Sequence, residues 1–291
     1  MTFVNIQENY SLRHLISFKT GGEARFFVEI ESLEQLIEIK KKAVQQELPF
    51  FLLGRGTNVV VSDKGFNGYV AHLARSFSDL SIEETILKAK AGTPLSRIAR
   101  YSVQESLKGI HLLTGVPGTL GGAVYMNAGA YGQEISQTIV EVKSLNEEGQ
   151  IICRTAAECE FSYRHSIFQE NKECIFEVTL QLEEGEQEVL EKEMKAAIQK
   201  RIESQPLNYP SAGSVFKKPA EGSAWALIEE AGLKGTSIGG ASVSSKHANF
   251  IVNKNNASAQ DIYDLSNLVI ETVLKKSGVK LEREIIFLGD F

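Results

Sequence analysis

The chain has 291 residues, of which 43% are apolar and 23% are charged, and its formal net charge at pH 7 is −6. This length and apolar fraction allow two or three domains with at least one sizeable core. The acidic balance argues against a general binder of nucleic acid or of anionic membranes, because either would need a basic surface.

The N-terminal segment has no basic stretch followed by an apolar one, so we expect no signal peptide and a cytoplasmic location. The spacing then predicts a helix from Ser32, which can cap it, while Gln35 can complete a capping box. The expected apolar stripe of this helix comprises Leu33, Leu36, Ile37 and Val44.

Several strands are expected next. The run PFFLLG is typical of a buried strand that ends at Gly54, and YVAHLA (69–74) and the alternating ILKAKAG (86–92) predict two more. Thr93-Pro94 begins a predicted helix. Its apolar face comprises Leu95, Ile98, Ala99 and Val103. Residues 139–154, IVEVKSLNEEGQIICR, indicate two strands joined by a tight turn.

The last third of the chain is mainly helical. A charged amphipathic helix is predicted over 186–203, and the Pro/Ser/Gly-rich residues 204–214 indicate a domain boundary. The apolar positions of this helix are Leu190, Met194, Ala197, Ile198 and Ile202. Further helices are expected around 222–231 and 259–276, the second ending at Gly278 as its C-cap. Its inward positions are Ile262, Leu265, Leu268, Val269 and Val273. Because strands and helices mix without a repeating βαβ rhythm, the predicted fold class is α+β.

The cysteines and histidines show no metal-binding or disulfide pattern. Cys153, Cys159 and Cys174 are odd in number and have no CxxC spacing, and the five histidines are scattered. We therefore expect buried spectator thiols and no protein-bound metal.

Residues 109–133 contain seven glycines and no Asp, Glu, Lys or Arg. The segment is long enough to cross a bilayer, but helix formation is penalised by about 1 kcal/mol per glycine and about 3 kcal/mol at Pro117. Its many apolar side chains argue against a solvated linker. An ordered loop is the remaining interpretation. Glycines let a ligand approach the backbone closely, and successive N–H groups can bind an anion.

A second loop of this kind, residues 52–68, follows the strand that ends at Gly54. Neither loop has the glycine spacing of a Rossmann fingerprint, and no Gly-Lys-Ser/Thr of a Walker A loop is present. From the glycines alone, structural turns and a dinucleotide cradle are about equally good interpretations.

The order and separation of the two loops, LGRGTNVVVSDKGFNG (53–68) and LTGVPGTLGGAVYMNAGAYG (113–132), resemble the flavin-binding loops of the UDP-N-acetylenolpyruvoylglucosamine reductases, which make a bacterial peptidoglycan precursor. The resemblance runs collinearly from about residue 17 to 289. Further matching motifs are SFKTGGEARFFVEIESLEQL (17–36), FSYRHSIF (161–168), YPSAGSVFKKP (209–219), residues 227–253 and LEREIIFLG (281–289).

This resemblance implies non-covalently bound FAD in a two-part α+β region of the vanillyl-alcohol-oxidase (PCMH) type, followed by a C-terminal α+β substrate domain. The implied domains are 1–70 joined by 281–291, then 71–203, then 204–280. NADPH would reduce the flavin, and the flavin would reduce UDP-N-acetylglucosamine enolpyruvate to UDP-N-acetylmuramate. No inserted tyrosine-bearing loop precedes Ser214, which resembles one branch of the family.

The resemblance also implies roles for single residues. Arg164 and Glu284 would hold and polarise the substrate carboxylate, and Ser214 would donate a proton. Tyr163 and Arg201 would contact the substrate, Arg201 at its uridine diphosphate. The implied FAD contacts are Gly54, Arg55, Gly56, Thr57, Asn58, Thr114, Gly115, Gly118, Thr119, Gly121, Gly122, Ala123, Asn127 and Tyr131. Without the resemblance, the simpler interpretation is that Ser214 is a turn hydroxyl and that Arg164 and Glu284 are surface charges.

Three positions depart from the family pattern. Thr57 replaces a serine and keeps its hydroxyl, Lys218 replaces a frequent asparagine and so removes an amide, and Ile286 replaces a common arginine and so removes a charge. Two alternative functions stay open: an FAD-dependent oxidase of the same fold, and a non-catalytic module that binds a sugar nucleotide.

Overall fold

The computed structural model describes residues 4–73 and 77–291, which divide into two compact units. Unit 1 comprises the N-terminal segment through Gln7, Phe27–Gly54 and Gly68–Arg201. Unit 2 comprises Glu8–Phe26, Arg55–Asn67 and Ile202–Phe291. Each unit therefore gathers segments that are far apart in the sequence. No helix in the described part of the chain is long and apolar enough to cross a membrane.

Six α-helices and eighteen strands are formed by the described residues. The helices are α1 (Leu33–Gln45), α2 (Leu95–Gln104), α3 (Leu120–Tyr125), α4 (Gln187–Ser204), α5 (Ala224–Glu230) and α6 (Ala259–Ser277). The strands are β1 (Ile6–Ser11), β2 (Glu23–Ile30), β3 (Phe50–Leu53), β4 (Val59–Val61), β5 (Phe66–Leu73), β6 (Leu80–Glu83), β7 (Ile86–Lys90), β8 (Leu107–Lys108), β9 (Gly129–Ala130), β10 (Gln133–Glu134), β11 (Ile139–Leu145), β12 (Ile151–Thr155), β13 (Cys174–Gln181), β14 (Glu183–Glu184), β15 (Ser237–Ile238), β16 (Ala241–Val243), β17 (Ile251–Asn253) and β18 (Ile286–Leu288).

The main sheet of unit 1 is antiparallel, with strand order β12–β11–β13–β7–β6. The predicted alternation of residues 86–92 is present, since Leu87 and Ala89 are buried while Lys88 is exposed. The predicted strand pair in residues 139–154 is likewise confirmed as β11 and β12. The central strand β13 is buried along nearly its whole length because α3 covers it. This sheet and α3 build the core beneath the glycine-rich loop.

A second sheet has the order β1–β2–β5–β3, and in unit 1 β3 runs parallel to β5. The predicted strand PFFLLG is confirmed as β3, and YVAHLA falls largely in β5, although Ala74 lies outside the described residues. Helix α1 begins after Ser32, whose side chain accepts a hydrogen bond from the Gln35 N–H. The Gln35 side chain accepts from the Glu31 N–H rather than from the cap residue, so the predicted capping box is displaced by one residue.

The predicted apolar stripes of two helices are partly wrong. Val44 of α1 is 53% exposed, because it lies about 80° around the helix from Leu36. The side chains that α1 buries are Gln35, Leu36, Ile39, Lys40 and Ala43. In α4, Leu190 and Ala197 are buried, but Ile198 and Ile202 are 38% and 50% exposed. Helix α4 is therefore buried along a narrower stripe than its apolar residues predict.

The other predicted helices are confirmed within two residues at each end. Helix α2 buries Leu95, Ile98, Ala99 and Val103 as expected, and α5 occupies most of 222–231. Helix α6 ends at Gly278, which is left-handed with φ +75°. Most of its predicted inward positions are buried, and Leu268 is half-buried. Local caps and apolar spacing therefore fix these elements.

Unit 2 contains an antiparallel sheet of order β15–β16–β17, which packs against α6, and the parallel pair β4–β18. Ser258 and Asp261 form a capping box at the start of α6. The Asp63 carboxylate accepts from the Ala259 and Gln260 N–H groups at 3.0 and 2.9 Å, so a residue next to β4 completes this cap.

Candidate active site

Gly54 directly follows the strand β3 and lies beside the start of α3 in unit 1. A Cβ atom at Gly54 would come 2.7 Å from Thr119 Oγ1, closer than real Cβ contacts. Thr119 is the N-cap of α3, and its hydroxyl accepts from the Gly122 N–H at 3.4 Å. Only glycine therefore fits at position 54 while the α3 cap keeps this geometry.

Residues 109–133 form an ordered loop with short helical turns. A 3₁₀ turn, His111–Gly115, contains Thr114 and Gly115; Gly118 follows with φ +140°, and then α3 begins. The N–H groups of Leu120 and Gly121 donate to Thr93 O and Ala91 O, both at 2.9 Å.

Gly121 and Ala123 are engaged within the protein itself. A Cβ at Gly121 would lie 2.9 Å from Ala91 Cβ, and the Ala123 N–H donates to Thr119 O. Among the described residues, no acceptor takes the N–H groups of Gly118 and Thr119. These two N–H groups are the backbone donors that the start of α3 can offer to an anion.

The loop Arg55–Asn58 of unit 2 also presents unused backbone donors. Gly56 is buried and left-handed, with φ +59°, and its carbonyl accepts from the Ser17 N–H at 3.0 Å. In the described part of the chain, the N–H groups of Arg55, Gly56 and Asn58 have no acceptor. Gly56 is buried, and buried backbone donors are almost always paired, so this turn is suited to binding an anion such as a pyrophosphate.

Asn58 connects this loop to the C-terminal segment within unit 2. Its side-chain amide donates to Glu284 O at 3.1 Å, and its own carbonyl accepts from the Ile286 N–H at 2.9 Å. Its Nδ2 therefore fixes the backbone of Glu284. Ile286, which departs from the family pattern, is half-buried and begins β18 opposite Val59.

Ser214 and Glu284 lie on two paired segments of unit 2. Phe216 and Arg283 form an antiparallel bridge, in which the Glu284 N–H donates to Val215 O and the Lys217 N–H donates to Glu282 O, both at 2.8 Å. Ser214 is half-buried, and its hydroxyl makes no hydrogen bond to the described residues. Two predicted catalytic residues, 70 positions apart in the sequence, are thus brought to neighbouring backbone positions.

Arg164 occupies a strained tight turn in unit 1. Ser162 and His165 exchange backbone hydrogen bonds at 3.2 and 3.1 Å, and Arg164 inside this turn has φ +55°. Its guanidinium donates to Asn127 O at 3.4 Å and Gly129 O at 3.1 Å. It also lies 5.1 Å from the ring centroid of Tyr163, which is 46% exposed. A left-handed, non-glycine conformation is costly and clusters at functional sites.

The side chain of Asn127 is engaged within the protein. Its amide nitrogen donates to Ser162 O at 2.9 Å and to Glu134 Oε2 at 3.1 Å, and its oxygen accepts from the Ser136 N–H at 3.3 Å. Asn127 is 1% exposed, so its side chain holds the turn of Arg164.

Two residues absent from the sequence-based predictions support the same turn. Ser166 Oγ donates to Tyr125 O at 2.7 Å. Gln169 Nε2 donates to both Tyr125 O at 2.8 Å and Arg164 O at 3.2 Å. In the sequence, the one signal for this role is that Ser166 and Gln169 flank the apolar pair of SIFQ (166–169). In the structure, Ser166 is fully buried.

Arg201 lies in the last turn of α4, next to the glycine-rich loop of unit 1. A Cβ at Gly115 would be 3.2 Å from Arg201 Cδ, and burial lowers the pKa of the Arg201 guanidinium. The described residues supply no carboxylate partner for it. Tyr131, left-handed with φ +54°, donates its hydroxyl to Ala197 O on α4 at 2.9 Å. A half-buried cation without a carboxylate partner favours an anionic ligand.

The remaining departures from the family pattern are on the surface or half-buried. Lys218 is exposed and Thr57 is half-buried. No group of His, Cys, Asp and Glu in the described residues could hold a metal ion.

Comparison with known proteins identifies the class of ligand. Residues 24–153 match an FAD binding domain, and residues 205–288 match the C-terminal domain of UDP-N-acetylenolpyruvoylglucosamine reductase. The chain is 43% identical over 282 residues to the UDP-N-acetylenolpyruvoylglucosamine reductase of Caldanaerobacter subterraneus subsp. tengcongensis, covering 97% of this chain and 93% of that one. It is 40% identical over 290 residues to the reductase of the same name from Caldicellulosiruptor bescii, covering 99% and 92%.

The fold agrees with these matches. The crystal structure of UDP-N-acetylenolpyruvylglucosamine reductase from Thermus caldophilus superposes with a TM-score of 0.86 at 30% identity, covering 99% of this chain and all of that one. With its FAD binding domain, its glycine-rich loops and their unused amide donors, the protein is an FAD-containing oxidoreductase. The chain belongs to the UDP-N-acetylenolpyruvoylglucosamine reductase family.

Proposed function

We propose that this protein reduces the enolpyruvyl ether of UDP-N-acetylglucosamine enolpyruvate to UDP-N-acetylmuramate in the cytoplasm, with NADPH as the reductant. The proposal is supported by the family membership over nearly the whole chain and by the two loops that fit a dinucleotide. The bound flavin supplies the hydride for the terminal vinyl carbon. The domain division predicted from the sequence, with 281–291 joining 1–70, is part of this proposal.

The backbone donors described above would hold the cofactor. Each unit by itself offers backbone donors that suit a phosphate group of the cofactor. These donors are the N–H groups of Gly118 and Thr119 in unit 1, and those of Arg55, Gly56 and Asn58 in unit 2. Gly54 keeps the start of α3 free of side chains. Arg201, in the last turn of α4 beside Gly115, would bind the uridine diphosphate of the substrate.

The reduction also needs charge stabilisation and a proton. After hydride arrives, negative charge spreads onto the substrate carboxylate, which Arg164 and Glu284 would hold and polarise. The carbon that bears the ether and the carboxylate then takes a proton, for which Ser214 is the proposed donor. The observation that carries this assignment is that the Ser214 hydroxyl has no hydrogen bond to the described residues and lies on the segment paired with Glu284. Tyr163 would contact the substrate beside Arg164.

The decisive experiment measures NADPH oxidation by the flavin-loaded protein with and without UDP-N-acetylglucosamine enolpyruvate. Oxidation that requires this substrate supports the proposal. Rapid reoxidation of the reduced flavin by air alone would favour an oxidase. A protein that acquires no flavin spectrum after incubation with FAD would favour a sugar-nucleotide-binding module.

The role of Ser214 is tested by separating the two half-reactions in a stopped-flow instrument. In Ser214→Ala, flavin reduction by NADPH should stay nearly unchanged, because no proton donor is needed there. Reoxidation by the enolpyruvyl substrate should slow by about 10²-fold or more, the low end for loss of a general acid. Equal slowing of both half-reactions would remove Ser214 from this role.

A further inference from the structure

Asn249 lies between β16 and β17 in unit 2 and is 7% exposed. It makes three hydrogen bonds to the segment that follows Ser214. Its side-chain oxygen accepts from the Phe216 N–H at 3.0 Å, and its amide nitrogen donates to Phe216 O at 2.8 Å. Its backbone carbonyl accepts from the Val215 N–H at 2.8 Å.

These contacts complete the hydrogen bonding of a segment that belongs to no sheet. On one edge, Val215 O and the Lys217 N–H bond to the segment of Glu284. On the other edge, Asn249 pairs with both polar groups of Phe216, as a neighbouring strand would. The position of residues 215–217 is therefore fixed from both sides, and one side depends on Asn249, through its side-chain amide and its backbone carbonyl.

We propose that Asn249 is a positioning residue for the proton donor. This inference rests on the proposed function, in which Ser214 gives its proton to the substrate. Because the Ser214 hydroxyl makes no hydrogen bond to the described residues, the backbone of Ser214 to Phe216 sets where this hydroxyl lies. A misplacement of about 1 Å of a reacting group can cost about 10²-fold in rate.

The substitution Asn249→Asp should make the rate of flavin reoxidation depend on pH, which general destabilisation of the fold would not do. One oxygen of the new side chain can still accept from the Phe216 N–H. The other oxygen faces Phe216 O, which it repels when the carboxyl is ionised and to which it can donate a hydrogen bond when it is protonated. Because position 249 is 7% exposed and faces a carbonyl oxygen, we expect the pKa of the new carboxyl to be raised well above its ordinary value. The flavin reoxidation step of Asn249→Asp should therefore be about 10–100-fold slow at pH 8 and recover to within about 3-fold of wild type near pH 5.

Other titratable groups are near this position and must be accounted for. His247 Nδ1 accepts from the Asn249 N–H at 3.3 Å, and the paired segments carry Lys217, Glu282, Arg283 and Glu284. The wild-type protein, measured across the same pH range, contains all of these groups. Only the pH dependence that the variant gains over wild type is attributed to position 249.

Asn253→Asp is a matched control. Asn253 is also 7% exposed, donates to Phe18 O at 2.8 Å and accepts from the Ala257 N–H at 2.8 Å, but its side chain does not bond to the Ser214 segment. This variant should lose similar thermal stability while both half-reactions keep the wild-type pH dependence. In Asn249→Asp, flavin reduction by NADPH should stay within about 2-fold of wild type, because it needs no proton donor.

The outcomes separate the inference from the proposed function. If wild-type protein is reduced by NADPH but not reoxidised by the enolpyruvyl substrate, the proposed function fails and this inference fails with it. If wild type turns over and Asn249→Asp is equally slow at every pH, or slows both half-reactions alike, the inference alone is refuted. Should Asn249→Asp not fold, Asn249→Ser must slow reoxidation selectively, and an equal effect on both steps refutes the inference.

Discussion

Gly54→Ala tests the geometry at the start of α3 without requiring activity. Gly54 has no positive φ, so alanine is compatible with its backbone, but the new Cβ would lie 2.7 Å from Thr119 Oγ1. The Thr119 side chain must rotate away, which removes its bond to the Gly122 N–H and so costs about 1 kcal/mol of capping energy. Residual strain adds about 0.5–1.5 kcal/mol. We therefore expect a loss of about 1.5–2.5 kcal/mol and a Tm lower by about 4–8 °C.

A double-mutant cycle with Thr119→Ala isolates the cause. Thr119→Ala alone should cost about 1 kcal/mol, and in that background Gly54→Ala should cost less than about 0.5 kcal/mol because the opposing oxygen is gone. Calorimetric unfolding of the four cofactor-free proteins measures the coupling. Gly122→Ala is the control, since its Cβ would be 3.6 Å from the same oxygen and alanine favours a helix by up to about 1 kcal/mol. Additive effects of Gly54→Ala and Thr119→Ala would refute the reasoning.

Three further outcomes are expected. Arg164→Ala should slow flavin reoxidation by the enolpyruvyl substrate by about 10²-fold, as for a lost charge-stabilising donor, and unchanged turnover in the stopped-flow assay would contradict its role. The expectation of buried thiols is wrong for Cys153, which is exposed. Alkylation of the native protein at pH 8 should label Cys153 alone, because burial raises the pKa of Cys159 to about 11 and also raises that of buried Cys174. Peptide mass spectrometry identifies the labelled cysteines. Burial lowers the pKa of His247, so the stability that its neutral form contributes is fully present above about pH 6.5 and is lost as the pH falls below that value. In His247→Asn, the free energy of urea unfolding should therefore depend less on pH in this range. An unchanged pH dependence would show that His247 does not cause it.

The elements that the sequence predicts well are those whose signals are local. Helix α6 has its capping box, its apolar spacing and Gly278 within one continuous stretch, and its ends agree with the prediction. By contrast, hydrophobic periodicity does not predict the central strand β13. Its nearly continuous apolar run is buried on both faces, and such a run has no alternation to distinguish it. The exposed face of α4, including Ile198, depends on which neighbours pack against the helix.

The sequence predicts which residues form the candidate site, but it does not predict how the backbone segments that carry them are paired. Motif resemblance selects Arg164, Ser214 and Glu284, whose roles stay predictions. The pairing of Val215 with Glu284 joins segments that are distant in sequence, and its register follows from tertiary packing that no local pattern encodes. Similarly, the left-handed φ of Arg164 follows from a tight turn that polar side chains hold from outside.

The sequence does not show whether a given asparagine side chain binds a ligand or the protein's own backbone. A side-chain amide has both a donor and an acceptor, so it suits a ligand and a backbone equally well. In this fold an asparagine side chain bonds to the backbone of each segment that carries a proposed catalytic residue: Asn127 donates to Ser162 O, Asn249 to Phe216 O and Asn58 to Glu284 O. Irregular segments cannot obtain these partners from a regular sheet, and an unpaired buried carbonyl would be costly. Two of these amides, those of Asn58 and Asn127, are predicted cofactor contacts in the sequence, yet all three supply irregular segments with the hydrogen bonds that a neighbouring strand would give.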